Sequence, residues 1–199
     1  MRLRHLVLFI LLWAGGVLAY MFWPEDEIIH APGVLVPEEP QQRMLDYPNS
    51  WVKNEHTITP LAEFDLRARV LHKKFYSRGR EADLSPLHLA LGWGKMSDQN
   101  VLDQITITQH SRWYHWRADK LPISREVIIS SSSNMHMIPA SEEVEKLLIS
   151  VHEGNLIQLS GYLVAVSARD GWKWKSSLSR KDTGNGSCEV VWVKNATIE

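Results

Sequence analysis

The strongest constraint on the fold is the alternation of apolar and charged residues in AEFDLRARVL. Phe64, Leu66, Ala68 and Val70 alternate there with charged side chains. A period of two places successive side chains on opposite faces of a strand, so this strand buries one face only. The apolar run NLIQLSGYLVAVS predicts a second long strand. The chain therefore predicts a domain built on a sheet.

Two segments predict helices. In PASEEVEKLLISVHEG, Ser141 is expected to cap the helix, acidic residues follow it, and Gly154 ends it. SDQNVLDQI predicts a shorter helix with Ser97 as its cap. The segments ITITQHSRWYHWR and REVIIS are interpreted as extended.

The C-terminal third predicts hairpins. RDG is a turn signal, WKWKSSL and CEVVWVK are strand candidates, and KDTGNGS is a glycine-rich turn between them. Gly161, in mid-strand, suits a bulge or a tight bend. The predicted fold is α+β: a twisted antiparallel sheet, partly closed, with one main packed helix. Its strand–glycine–strand run followed by hairpins resembles an OB-like barrel, which implies architecture and not activity.

The N-terminus predicts a membrane anchor. Leu6–Trp23 contains no charge over 18 residues, and such a helix rises roughly 27 Å, about the thickness of a bilayer core. Arg2 and Arg4 precede it and acidic residues follow, so the positive-inside rule keeps the N-terminus in the cytoplasm. The alternative is a signal peptide cleaved after Ala19, and both readings export the domain.

The sequence thus divides into four parts. Residues 24–55 carry five of the nine prolines, so little regular structure is expected there. The predicted parts are 1–5 as a cytoplasmic n-region, 6–23 as a transmembrane anchor, 24–55 as a proline-rich stalk and 56–199 as the exported domain. The expected location is the inner (plasma) membrane, crossed once.

Charge and cysteine content exclude some classes. Lys plus Arg total 22 and Asp plus Glu total 23, so the basic excess typical of a nucleic-acid binder is missing. The lone Cys188 excludes an intramolecular disulfide. Together with the short leader, this favours a bacterial envelope protein.

Three polar stretches supply the candidate site residues. In RWYHW, Arg112, Tyr114 and Trp116 would share one strand face and stack on sugars, bases or a peptide; the alternative is a buried face with a snorkelling Arg112. The turn around KDTGNGS offers Arg180 and Asp182, or is simply a solvated loop.

The stretch NMHM decides whether a metal is expected. In a strand, Met135 and Met137 project to one face and His136 to the other, so the three cannot hold one ion and neither a metal nor a cofactor is predicted. We expect His136 to be exposed near RWYHW or KDTGNGS. The predicted ligand-binding residues are Arg112, Tyr114, Trp116, His136, Arg180 and Asp182.

The segments LSPLHLALGWGKMSD, RWYHW, NMHMIPA and SSLSRKDTGNGSCE together resemble a group of uncharacterised bacterial membrane-anchored envelope proteins. The resemblance covers about residues 57–194 and implies no activity and no residue role. The predicted function is a non-enzymatic, membrane-anchored extracytoplasmic binding or assembly module, whose partner is a protein or another envelope component. The alternative is an envelope hydrolase or transferase that uses His136, Cys188 or Asp182. Cys188 is predicted to be buried and inert.

Overall fold

The computed structural model describes residues 10–13, 15–16, 28–184 and 186–199. Residues 10–13 and 15–16 are helical, but most of the predicted anchor at 6–23 and all of the n-region at 1–5 lie outside the described residues. No helix among the described residues combines the length and the apolar character needed to cross a bilayer. The anchor and its cleaved alternative stay predictions.

The described part of the domain is α+β and rich in strands, as the sequence predicts. Its strands are β1 (Gln41–Met44), β2 (Trp51–Lys53), β3 (His56–Phe75), β4 (Leu87–Gly92), β5 (Thr106–His110), β6 (Trp113–Arg117), β7 (Ser132–Pro139), β8 (Leu156–Ser167), β9 (Lys173–Lys175) and β10 (Glu189–Ile198). Its α-helices are α1 (Gln99–Leu102), α2 (Arg125–Ser130) and α3 (Glu142–Ile149), with 3-10 turns at Arg80–Asp83 and Gly94–Ser97.

Five of the strands close into a barrel. Around it, β3 pairs with β4, β4 with β7, β7 with β10, β10 with β8, and β8 again with β3. All of these pairs are antiparallel except β7 with β10, which is parallel. The expectation of a purely antiparallel sheet is therefore wrong at one pair. Alternation of side chains fixes which face of a strand is buried, but it carries no information about the direction of the neighbour.

The barrel interior is apolar and fully enclosed. Met135 and Met137 are completely buried in it, so the prediction that they face away from His136 is confirmed. The other enclosed side chains include Phe64, Leu66, Leu89, Leu91, Leu159, Leu163, Val191 and Val193. Helix α3 adds Leu148 to this core and lies against β7 and β10.

Helix α3 begins as predicted and ends earlier. The Ser141 hydroxyl accepts a hydrogen bond from the Val144 N–H at 3.4 Å, which confirms the cap. The helix ends at Ile149, and the Ser150 N–H closes its last turn on Lys146 and Leu147. Gly154 instead has a φ of 90° and donates its N–H to Val70 of β3, so its conformation serves the loop and not the helix.

Parts of the predicted stalk segment lie against the barrel. Strands β1 and β2 both pair with β3, so the expectation of little regular structure in 24–55 is wrong there. Val36 is completely buried, and its N–H donates to the Ser97 hydroxyl at 3.0 Å. Ser97 thus holds this segment and does not cap α1; the Asp98 carboxylate caps it instead, accepting from the Asn100 N–H.

Two segments between β4 and β7 were both expected to be extended, and only one of them is. REVIIS is helix α2 and not a strand, because the Ser124 hydroxyl accepts from the Val127 N–H and starts a helical turn. ITITQHSRWYHWR is extended as predicted, in the form of a β5–β6 hairpin. Its two-residue turn is Ser111 and Arg112, with φ of 52° and 66°.

Gly161 marks the closest approach between two barrel strands. A Cβ at this position would lie 1.9 Å from the carbonyl oxygen of Trp192 on β10. The bulge itself is in β10, where the register shifts between Val193 and Asn195. Gly161 therefore permits the close pairing that a neighbouring bulge requires.

Gly161→Ala should destabilise the barrel by about 1–3 kcal/mol, because the added methyl group must push β10 away. Ser160→Ala is the matched control on the same strand, since it loses only a hydrogen bond to the exposed Asn195. Chemical denaturation of both variants measures the difference. Equal stability of the two variants would contradict the close approach at Gly161.

Candidate functional site

A cleft of about 540 Å³ separates the β5–β6 hairpin from the loop that leads into β10. Its floor is the start of β7, Ser132–Asn134. One wall is β6 with Ala118 and, beside it, Arg125 and Ile129 of α2. The facing wall is formed by Asp182, Thr183, Gly184, Ser187 and Cys188. We call this the hairpin cleft, and its volume lies within the range of ligand sites in proteins.

Buried polar contacts hold the hairpin on the outer face of the barrel. The Gln109 side-chain amide donates to the Asn134 carbonyl oxygen at 2.5 Å, and both side chains are buried. The Tyr114 hydroxyl lies 3.1 Å from the Ser132 hydroxyl, and burial raises the pKa of Tyr114 to about 12. The wall of the cleft that belongs to β6 is thus fixed to its floor.

Arg112 fastens the turn of the hairpin. Its N–H donates to the Tyr76 hydroxyl at 2.9 Å, and its carbonyl accepts from the Asn134 amide at 3.0 Å. Its guanidinium donates to His88 Nε2 at 3.1 Å and lies 4.8 Å from the centre of the Tyr76 ring. The conformation at φ 66° is therefore stabilised from both sides.

Two histidines meet edge to face beneath Arg112 on the outer face of the barrel, with ring planes at 86°. His88 of β4 is completely buried, His136 of β7 is 4% exposed, and His136 Nδ1 lies 2.9 Å from His88 Nε2. An arginine can only donate, so His88 Nε2 is the acceptor and His136 Nδ1 carries the proton. Both rings are neutral in this arrangement.

Burial keeps the two histidines neutral. It is the largest cause that lowers the pKa of His88 to about 2 and that of His136 to about 3, and the nearby charge of Arg112 acts in the same direction. The edge of His136 faces the Trp174 ring, whose centre is 4.9 Å away. The expectation of an exposed His136 is wrong, because the hairpin turn and Trp174 cover the face opposite the core.

An ion pair is buried where the barrel meets the loop before β10. Arg180 Nη1 lies 2.9 Å from Glu189 Oε1, and the guanidinium carbon lies 5.5 Å from the centre of the Phe64 ring. The Ser133 hydroxyl donates to the other carboxylate oxygen. Burial raises the pKa of Glu189 to about 7, against the opposing influence of Arg180. Arg180 therefore has a partner inside the protein.

The facing wall of the cleft carries a carboxylate and a thiol. Asp182 accepts a hydrogen bond from the Ser177 hydroxyl at 2.7 Å. Cys188 is half-buried where full burial was predicted, and the Asn134 amide lies 3.4 Å from its sulfur. Burial raises the pKa of Cys188, so its thiol stays protonated at neutral pH.

The structure divides the predicted site residues between two places. Tyr114, Trp116 and Asp182 line the hairpin cleft. Arg112 and His136 belong to the buried cluster beneath the turn, and Arg180 belongs to the ion pair with Glu189. RWYHW and KDTGNGS therefore face each other across the hairpin cleft, and His136 does not lie at the centre of the surface between them.

Sequence reasoning missed several residues of this region. Arg125 was assigned to a strand, and His88 lies in an apolar run that gave no sign of a partner. Asn134 joins Gln109 and Arg112 of the hairpin to Cys188, and each of these contacts spans more than 20 residues of sequence. No local pattern signals such contacts, because they depend on the closed barrel.

Two further histidines lie on the outer surface of the hairpin. The rings of His110 and His115 are stacked at 3.7 Å and are exposed. Within residues 28–184 and 186–199, no three His, Cys, Asp or Glu side chains form a group that could hold a metal ion.

No family model, no curated protein and no solved structure matches this chain. Its fold and site define a closed five-stranded barrel with an inserted hairpin and a cleft beside it.

His136→Asn should show a stability cost that shrinks as the pH falls. The lowered pKa of His136 means that the wild type is fully stabilised above pH 6.5 and loses stability as the pH falls from 6.5 towards 3. The asparagine does not titrate, so the gap between the two proteins should narrow by about 2 kcal/mol between pH 7.5 and 4.5. Urea denaturation at both pH values measures it. A gap that stays constant or widens would show that His136 is not held neutral.

Arg180→Met at pH 8 should cost about 3–5 kcal/mol, because it leaves a buried carboxylate without an opposite charge. The Ser133 hydroxyl still bonds to this carboxylate in the variant, so the loss is that of the compensating positive charge. The cost should be smaller at pH 5, since Glu189 binds a proton below its raised pKa of about 7. Adding Glu189→Gln should recover part of the loss at pH 8. Arg43→Met is the control, because the Arg43–Glu63 pair is exposed and contributes up to about 1 kcal/mol. Equal losses in Arg180→Met and Arg43→Met would contradict the buried pair.

Proposed function

We propose that the protein is a membrane-anchored, extracytoplasmic binding or assembly module that takes its ligand in the hairpin cleft. The observation that supports this proposal is the cleft itself, which has aromatic and basic side chains on one wall and small polar residues on the other. Trp116 and Arg125 stand together there, with the guanidinium 5.8 Å from the indole centre. Aromatic and arginine side chains contribute most to many binding interfaces.

The barrel in this proposal is of the OB type. Its strands occur along the chain as β3, β4, β7, β8 and β10, and they lie around the barrel in the order first, second, third, fifth, fourth. The third and fifth strands are parallel, and helix α3 connects the third to the fourth. Barrels of this type commonly bind ligands across their second and third strands and beside the loop that precedes the fifth. The hairpin cleft lies over the third strand and beside that loop.

A binding role is favoured over a catalytic one by the positions of the titratable groups. The alternative of a hydrolase or transferase requires that His136, Cys188 or Asp182 act together with a base or a nucleophile. His136 contacts His88 beneath the hairpin turn, whereas Cys188 and Asp182 line the cleft. The raised pKa of Cys188 weakens the case for a thiolate nucleophile.

The location in this proposal rests on the sequence. The apolar segment Leu6–Trp23 with its preceding arginines supports an inner-membrane anchor with the barrel outside the cytoplasm. The resemblance to membrane-anchored envelope proteins agrees with this. The ligand is accordingly another component of the envelope, and the balance of acidic and basic residues argues against nucleic acid.

Photocrosslinking in intact cells tests the cleft. A photoreactive amino acid is placed at Thr183, which is exposed on the wall formed by the loop, and at Val52, which is 70% exposed and does not line the cleft. Thr183 should give a discrete crosslinked species, and Val52 should give none. Trp116→Ala should reduce the Thr183 product several-fold. Identical products from both positions, or none from Thr183, would refute binding in the cleft.

A further inference from the structure

The hairpin cleft is bordered by the edge of a strand. Its lining includes every residue from Trp113 to Ala118 in succession. Consecutive side chains of a strand point to opposite faces, so a surface lined by all of them meets the strand at its edge. The cleft therefore offers the backbone of β6 as well as its side chains.

The free backbone groups of β6 follow from the register of the hairpin. His110 and Trp113 flank the two-residue turn and form a hydrogen-bonded pair, as do Thr108 and His115. Between them, the N–H and C=O groups of Tyr114 and Trp116 point away from β5. Among the described residues, nothing outside the hairpin bonds to these four groups. Unpaired groups at this spacing form a template for another strand.

The charges on this side of the cleft are basic. Arg117 projects from β6 with 86% of its side chain exposed, and its Nη2 lies 3.7 Å from Oδ1 of the exposed Asp119, which does not line the cleft. Arg125 is exposed above Trp116. The carboxylate on the facing wall, Asp182, is already bonded to Ser177. An occupant that matches this wall is extended and carries acidic side chains.

We infer that the hairpin cleft binds an extended, acidic segment of another polypeptide by strand addition to β6. The inference rests on the proposed function and names its partner class. The backbone of the segment pairs with Tyr114 and Trp116, and its acidic side chains face Arg117 and Arg125. Affinity comes from main-chain hydrogen bonds, and specificity comes from the two charges and the indole.

The test starts from the purified full-length protein and a displayed library of random nine-residue peptides. A selected peptide is synthesised with one backbone nitrogen methylated at a time, and its Kd is measured by fluorescence anisotropy. Strand addition uses every second N–H of the peptide, so methylation should weaken binding about tenfold at alternate positions and little between them. The selected peptides should be enriched in Asp and Glu.

A pair of protein variants tests the hydrogen bond that the Trp116 N–H would donate to the peptide. Trp116→Val and Trp116→Pro both remove the indole, but only proline removes the N–H that points into the cleft. Proline is tolerated at a strand edge, so both variants should keep the wild-type melting curve. Trp116→Pro should bind about tenfold more weakly than Trp116→Val. The methylation scan uses the wild type and decides the question even if Trp116→Pro fails to fold.

Arg117→Ala and Arg125→Ala test the charge match. Each variant should raise the Kd of the selected peptide several-fold. Arg43→Ala on β1 is the matched control and should have no effect. If no single methylation changes the Kd while Arg117→Ala still weakens binding, strand addition is wrong and the cleft remains a binding site. Failure to select any peptide would overturn the inference as well, while crosslinking from Thr183 decides the proposed function separately.

Discussion

The ladder between β3 and β8 is the constraint on which the other features depend. It runs from the pair of Thr57 with Ser167 to the pair of Arg69 with Leu156, and it joins the two ends of a sheet that would otherwise stay open. Closure leaves the five barrel strands without free edges, so each of them has one inner and one outer face. Once apolar side chains fill the inside, the direction of every other side chain on these strands is set.

The outer face of β4 and β7 shows the result. Because Leu87, Leu89, Met135 and Met137 point inward, the residues that alternate with them along the strands must point outward, and His88, Asn134 and His136 are among these. Polar groups there are stable when covered only if they find partners. The inserted hairpin supplies such partners through Gln109 and Arg112. One face of the barrel thus becomes a buried polar layer, with the cleft at its border.

The sequence predicted those features of the fold that depend on residues close together in the chain. The alternation around Phe64, the cap at Ser141 and the split between Met135 and His136 all follow from the period of the backbone and from hydrogen bonds within a few residues. The parallel β7–β10 pair joins residues more than 50 positions apart, such as Met135 and Glu189, which no window of sequence contains. Arg180 and Glu189 are only nine residues apart, but the loop between them folds back onto the barrel, and no periodic pattern predicts that path. REVIIS was assigned wrongly because its β-branched residues favour strands, whereas Ser124 starts a helix. The same limit explains the cleft: its two walls were recognised as polar stretches, but the floor between them, Asn134, was not.

The hairpin also separates residues that hold it on the barrel from residues that only line the cleft. It enters between the second and third barrel strands, and one turn residue, Arg112, makes most of its fastening contacts to side chains of its host. Positions 113 and 115–117 take no part in those fastening hydrogen bonds beyond the hairpin ladder. Changes at 113, 115 and 117 leave those bonds in place, whereas Trp116 also packs against the buried cluster that contains Met96 and Ile128. In the proposed binding role, the choice of partner can change through these four positions, and the same short stretch is the place to redesign it.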